Sequence, residues 1–153
     1  MIGENIMKEK EFDVFGIGSP LIDIFMEAED HHIEELKLEK GKMHLIDHAK
    51  LEELQNKMKK PPVKTSIAGD VVNTMMGIAS MGGRAVFCGK VGKDSYANMF
   101  EEVLISDNIK PVLSRCDKTY TGRVISFVTS DAQRTMTTYL GAAVGLKEIT
   151  RPV

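Results

Sequence analysis

The chain has 153 residues, 42% hydrophobic and 27% charged, with a formal net charge of −2, the profile of one soluble globular domain with its own core. That charge gives no basic stripe for nucleic acid, and no apolar run approaches the roughly 20 residues that span a bilayer. The two cysteines, Cys88 and Cys116, are too few for a disulfide framework.

The first eleven residues form a polar lead without a signal-like apolar region, so a cytoplasmic location and no membrane partner are expected. Phe12–Gly18 reads as a covered strand, with Gly16 and Gly18 allowing close backbone approach. Pro20 favours an extended Ser19 and forbids a simple helix. Leu21–Ala28 reads as a second, more exposed strand that carries one acid, Asp23, between Ile22 and Ile24. An acid there is costly to bury unless something binds it. It is either the anchor for a ligand hydroxyl or a satisfied turn acid. GIGSPL imitates the start of a dinucleotide loop, but Leu21 stands where the third glycine belongs and no helix follows.

Asp30 is placed to cap a helix over His31–Leu38 that Gly41 ends, followed by a short strand Met43–Ile46. Asp47 caps the next helix, whose Leu51, Leu54 and Met58 share a face, and Pro61 and Pro62 stop it. Val63–Ala68 is a strand candidate. The helix from about Asp70 to Met81 carries Val71, Val72, Met75, Met76, Ile78 and Ala79 around much of its axis, which predicts deep burial.

Arg84–Val91 reads as a central strand, and Cys88 within it as a buried free thiol. A helix starting at Asp94 or Ser95 and a strand from Ile109 to Leu113 complete a βαβ unit, predicting parallel strands. Gly122–Thr129 and Arg134–Tyr139, joined by Ser130–Gln133, read as a β-hairpin. A further helix is expected from about Leu146. The half-exposed β segments are expected to form a small sheet over the carboxyl ends of the parallel strands, where open α/β sheets bind ligands.

Four blocks carry the chemistry: the opening FDVFGIGSPLIDI, then SIAGDVVNTMMGIASMGG, RAVFCGKVGKD and TGRVISFVTSDAQRTMTTYLGAA. In the second, Gly69 precedes a helix without a side chain to block a ligand, and Asn73 could donate to and accept from a pair of sugar hydroxyls. The bland reading makes Asp70 an N-cap and Asn73 a polar first-turn residue. GKVGKD is no phosphate-binding P-loop, because its glycine spacing is wrong and Asp94 replaces Ser or Thr. His31, His32, His44 and His48 do not form a metal site, since adjacent histidines on a helix diverge by about 100°.

In this order the four blocks resemble the front half of the ribokinase-like (PfkB) sugar and nucleoside kinases, over about Phe12 to Leu146, with an opening closest to adenosine-kinase-like and related sugar kinases. The resemblance implies a doubly wound α/β domain with a small β lid, at about 20–28, 42–47 and 119–139, that serves some members as a dimer clasp. It implies ATP- and Mg²⁺-dependent phosphorylation of a primary hydroxyl on a sugar or nucleoside. By the same resemblance Asp23 accepts from substrate hydroxyls, Gly69 and Asn73 contact the sugar ring, Ser19 and Leu21 line the pocket, and Met136 approaches it from the lid hairpin.

The family's usual Gly-Gly-Ser-Ala-Ala-Asn type run reads Ala68-Gly69-Asp70-Val71-Val72-Asn73 here, with a narrower backbone approach and an added anion. The family's nucleotide site and catalytic base lie in a second half, at a Gly-Ala-Gly-Asp helix start that does not occur in this chain. The chain is therefore read as the N-terminal part of such a kinase, with no catalytic residue of its own, inactive alone and not expected to hold ATP and Mg²⁺ fully. The alternative is a non-catalytic ligand-binding or dimerising module derived from that fold. In either case uncovered sheet edges and apolar helix faces predict a homodimer or higher oligomer.

Overall fold

The computed structural model describes residues 10–57 and 60–147. Two sheets share the chain. The first is three-stranded and wholly parallel, in the order β1 (Val14–Ile17), β5 (Ala85–Gly92), β6 (Ile109–Cys116). β5 is central and almost entirely buried, as its apolar run Ala85–Gly89 requires, with Lys90 its one half-buried residue. Cys88 is a buried free thiol, and burial raises its pKa. β6 runs on to Cys116, past the expected Leu113, and tolerates Pro111 because β5 is its only partner in this sheet. Helix α4 (Ser95–Ser106) crosses between β5 and β6, completing the expected parallel βαβ unit.

The second sheet has five strands in the order β3 (Met43–Leu45), β8 (Arg134–Tyr139), β7 (Gly122–Val128), β2 (Leu21–Glu27), β4 (Lys64–Ala68). β7 and β8 are the expected antiparallel hairpin, and β2 lies parallel to β7 and antiparallel to β4. β4 thus joins the sheet expected from 20–28, 42–47 and 119–139. β2 is an interior strand, paired on both sides, rather than a more exposed one: its residues alternate, with Ile22, Ile24 and Met26 buried. These join Ile67, Ile125 and Phe127, Ile33 and Leu36 of the α1 (Asp30–Glu35) region, and Leu51 and Leu54 of α2 (His48–Lys57) in the core.

Helix starts follow local chemistry. Asp47 caps α2 by accepting from the Lys50 amide at 2.8 Å, and Asp94 caps α4 by accepting from the Ala97 amide at 2.9 Å. α1 differs from expectation. Glu29 rather than Asp30 is its N-cap, and the helix ends at Glu35 because Lys37 turns left-handed (φ 56°) before Gly41 is reached. Met58, expected on the α2 core face, lies outside the described residues, as does most of the helix expected from Leu146. Gly141–Gly145 before it forms a 3-10 turn.

Helix α3 (Asp70–Ser80) is not deeply buried. Val72 and Met75 are buried, Val71, Met76, Ile78 and Ala79 are half-buried, and Met81 just beyond is exposed. Only one side of α3 meets a layer. A Cβ built on Gly16 or Gly18 of the first strand region would come within 2.8 Å of Val71, so the valine fills the space those glycines leave. Phe100 of α4 packs on Phe87 of β5, ring centroids 5.5 Å apart. Gly16 and Phe87 are register partners, so both helices cover one face of the parallel sheet. On the other face Phe15 and Ile17 are 40% and 47% exposed.

Candidate substrate site

The two sheets meet at two junctions, and the expected site residues gather around the first. The Gly18 amide donates to the Cys88 carbonyl (3.0 Å), which carries the β1–β5 pairing to its carboxyl end. Ser19 and Pro20 follow, and Leu21 opens β2 between Ala68 of β4 and Gly122 of β7. Gly69 links β4 to α3 and is the N-cap of that helix, with φ 127° and ψ 138°. A Cβ there would lie 2.6 Å from the Ser19 carbonyl oxygen. Only glycine meets both demands, the backbone conformation and the contact. Ser19, Leu21 and Gly69 are thereby brought to one place. Asn73 lies one turn into α3, its amide bonded to the Gly69 carbonyl at 2.9 Å and its side chain exposed.

Asp23 stands on the face of the five-stranded sheet opposite the core. Its register partners are Ser66 on β4 and Val124 on β7, and Val124 in turn faces Thr138 on β8. Alternation explains the placement: Ile22 and Ile24 point inward, so the residue between them points out. Met136 shares the Asp23 face one row along, in register with Ser126, which pairs with Phe25. On the same face at β3, Met43 and Leu45 are 57% and 68% exposed. Burial raises the Asp23 pKa, and the positive charge of Arg134 partly offsets this. A half-buried carboxylate facing a cation can accept hydrogen bonds from hydroxyls.

Arg134 was legible only as part of the R-T-M-x-T run, with nothing to pair it with Asp23. It starts β8 opposite Val128, and Val128 pairs with Glu27, so Arg134 lies at the end of the Asp23 face.

The second junction joins the end of β5 to the foot of β7 and centres on Asp94. Its Oδ1 accepts from the Ala97 amide (2.9 Å) and the Thr121 hydroxyl (2.7 Å), and its Oδ2 from the Thr121 amide (2.9 Å) and an Arg123 Nη2 (3.4 Å). Burial raises the Asp94 pKa, but the Thr121 and Ala97 donors and the Arg123 charge outweigh it, and the net shift is downward. Spacing identified Asp94 only as a helix start.

A cavity of about 710 Å³ lies elsewhere, at the far end of β2, between Met26, Leu36 and Phe127 below and His32, Lys57 and Lys60 at its rim. It shares no residue with the expected site, whose sheet face is open rather than enclosed. Among the described residues no group of three or more His, Cys, Asp or Glu side chains converges on a metal position. No helix among them is long and apolar enough to cross a membrane.

The sequence model of the pfkB family carbohydrate kinases matches residues 41–150. Solved structures agree in fold. An adenosine kinase from Sinorhizobium meliloti is 36% identical, with a TM-score of 0.76 over 90% of this chain and 42% of its own. A protein from Rhizobium etli CFN 42 described as a probable sugar kinase is 32% identical, with a TM-score of 0.75 over 88% of this chain and 41% of its own. An adenosine kinase from Anopheles gambiae, solved with P1,P4-di(adenosine-5) tetraphosphate, is 25% identical, with a TM-score of 0.76 over 87% and 40%. No curated protein sequence matches the chain. The chain therefore spans about two fifths of the length of these structural relatives. With a three-stranded parallel α/β layer that carries a second, five-stranded sheet at its carboxyl ends, and a family match over most of its length, the chain belongs to the pfkB family of carbohydrate kinases.

Proposed function

We propose that these residues form the N-terminal, substrate-binding portion of an ATP-dependent sugar or nucleoside kinase that phosphorylates a primary hydroxyl. The observation that carries this reading is the placement of Asp23. It is the half-buried acid of the outward face of β2, two residues from the Leu21 junction where Ser19 and Gly69 meet. Asp23 would accept from substrate hydroxyls, Gly69 and Asn73 would contact the same ring, Ser19 and Leu21 would line the pocket, and Met136 would approach from β8. The second sheet would act as the lid, with segments at about 20–28, 42–47 and 119–139 and β4 added.

The family uses ATP, and Mg²⁺ would accompany it on the phosphates. The residues in hand do not fit that group: the Gly-Ala-Gly-Asp helix start is absent from the sequence, and the described acids do not converge on a metal position. No step of phosphoryl transfer is assigned to this chain. The 153 residues alone are expected not to transfer phosphate, and robust isotope transfer from labelled ATP by the purified chain would overturn that expectation.

A second reading is a non-catalytic ligand-binding or dimerising module on the same fold, favoured by the exposed Met43 and Leu45 on the Asp23 face. A thermal-shift panel of nucleosides and sugars, run on the chain and on Asn73→Ala, tests the first reading. Stabilisation by a nucleoside or sugar that Asn73→Ala diminishes supports it. No stabilisation by any member of the panel sinks it.

A further inference from the structure

We propose that Asp94 is a positioning residue: its carboxylate fastens the foot of β7 to the corner between β5 and α4, and so sets where the Asp23 face stands relative to Gly69. The inference rests on the reading of Asp23 and Gly69 as substrate contacts, and it adds what holds them in register.

Helix capping alone does not account for this acid. A cap needs one oxygen for one amide, here that of Ala97, and serine or asparagine would serve. The other three donors on the Asp94 carboxylate all come from the foot of β7: the Thr121 hydroxyl, the Thr121 amide and the Arg123 guanidinium. The Thr121 hydroxyl also accepts from the Gly92 amide at 3.0 Å, so it relays between the last residue of β5 and the acid that starts α4. Thr121 is fully buried. The backbones are in contact as well, since a Cβ on Gly92 would lie 2.7 Å from both the Thr119 carbonyl oxygen and the Thr121 amide nitrogen.

Arg123 makes the clamp depend on charge. Its guanidinium carbon lies 4.8 Å from the Tyr96 ring of α4 and 4.9 Å from the Tyr120 ring before β7, bridging the two layers. The side chain is 7% exposed, and Asp94 is its ion-pair partner. Its Nε has no hydrogen-bond partner among the described residues. Removing Asp94 would leave a buried cation without its anion, so the foot of β7 would have to shift to reach water.

The register carries this to the site. Thr121 and Arg123 flank Gly122, which pairs with Leu21, and the next residue, Val124, pairs with Asp23. A foot displaced by a fraction of a strand spacing therefore shifts the β2 row that carries Asp23, against the Ser19–Gly69 contact that holds the start of β2 to α3. Asp94 touches no substrate in this scheme and acts through β7.

Three variants and a control test it on the purified chain. Asp94→Ser keeps the α4 cap but reaches neither Thr121 nor Arg123, Thr121→Val deletes the hydroxyl at nearly constant shape, and Thr121→Ser restores it. Val103→Ala removes packing from α4 away from the junction. Amide hydrogen exchange at Gly122 to Val124 and affinity for adenosine and for ribose are measured for each. The clamp predicts that Asp94→Ser and Thr121→Val raise exchange at the β7 foot about tenfold and weaken ligand binding about tenfold, one decade being about 1.4 kcal/mol. Thr121→Ser returns both to near the parent values, and Val103→Ala loses stability without the local exchange signature. If Asp94→Ser and Thr121→Val leave the β7 foot as protected as Val103→Ala does, the clamp is wrong. If the parent chain takes up neither adenosine nor ribose, the proposed function fails, and the exchange comparison still decides the clamp. Should Asp94→Ser not fold, Thr121→Val against Thr121→Ser decides it alone.

Discussion

Thr121 gives Asp94 both of its donors, the backbone amide at 2.9 Å and the hydroxyl at 2.7 Å, so the residue that leads into β7 is bound twice by the residue that caps α4. The link has a definite pH signature. The Asp94 pKa is lowered in the folded chain, against burial, by donors from Thr121 and Ala97 and by Arg123. A lowered folded pKa contributes stability that is present above the unfolded carboxylate value, about 3.9, and is lost as pH falls through the folded value. Asp94→Asn is thus expected to be less stable than the parent at pH 7 by about 1–3 kcal/mol. The difference should narrow in acid. Denaturant unfolding of both proteins at neutral and strongly acidic pH measures the gap, and a gap of constant size would contradict the pairing.

Asp23 has the opposite linkage. Burial raises its pKa and Arg134 only partly offsets this, so the folded chain holds that proton to higher pH than the unfolded chain does. Ionised Asp23 therefore costs stability above the window that begins near 3.9. Asp23→Asn is expected to be as stable as the parent or more so at pH 7, and to lose the thermal shift from any nucleoside or sugar. Arg134→Ala should push the Asp23 titration higher still, which carboxyl NMR would register. An Asp23→Asn protein that melts below the parent while still responding to ligand would refute the assignment.

Periodicity made much of this fold legible. Leu21–Ala28 was legible as a strand with Asp23 between Ile22 and Ile24, and the Asp47 cap and a start of α4 at Asp94 or Ser95 followed from residue type, whereas the same rule put the α1 cap at Asp30 instead of Glu29. What it could not supply was neighbours. β2 is an interior strand of its sheet because β4 and β7 flank it, and nothing within residues 21–28 encodes those partners. α3 has an apolar surface wider than the single layer it meets, so its composition overstated its burial. Arg134 lies more than a hundred positions after Asp23, and Arg123 almost thirty after Asp94. Such pairs exist only once the strands are in register.

Gly69 offers a sharper test of the first junction. With φ at 127° and a Cβ position 2.6 Å from the Ser19 carbonyl oxygen, alanine there is opposed by both backbone strain and a clash with main chain. Gly69→Ala is expected to cost about 1–3 kcal/mol. At roughly 2–4 °C per kcal/mol for a chain of this size, the melting temperature should fall by several degrees. Gly77→Ala is the matched control: it lies mid-helix in α3, and a Cβ there meets nothing within 4 Å. Alanine favours the helix, so that variant should be neutral or stabilising. Equal losses from both substitutions would mean that the Ser19–Gly69 contact does not constrain the junction.

Met43 and Leu45 are 57% and 68% exposed on the face that carries Asp23, and Phe25, Val124 and Met136 are half-buried beside them. Phe15 and Ile17 add a second partly open apolar surface on the parallel sheet. Apolar area of this kind drives self-association in proportion to what is covered. The chain should therefore sediment as a dimer or larger species at high concentration. Leu45→Lys puts a charge at the edge strand β3 and should shift the distribution toward monomer, whereas Ile17→Lys should not if the Asp23 face forms the contact. Nucleosides or sugars that bind at Asp23 should compete with association through that face. A compact monomer at every concentration would leave the two apolar surfaces without a partner in this chain, and would count against the dimerising module as a reading of the fold.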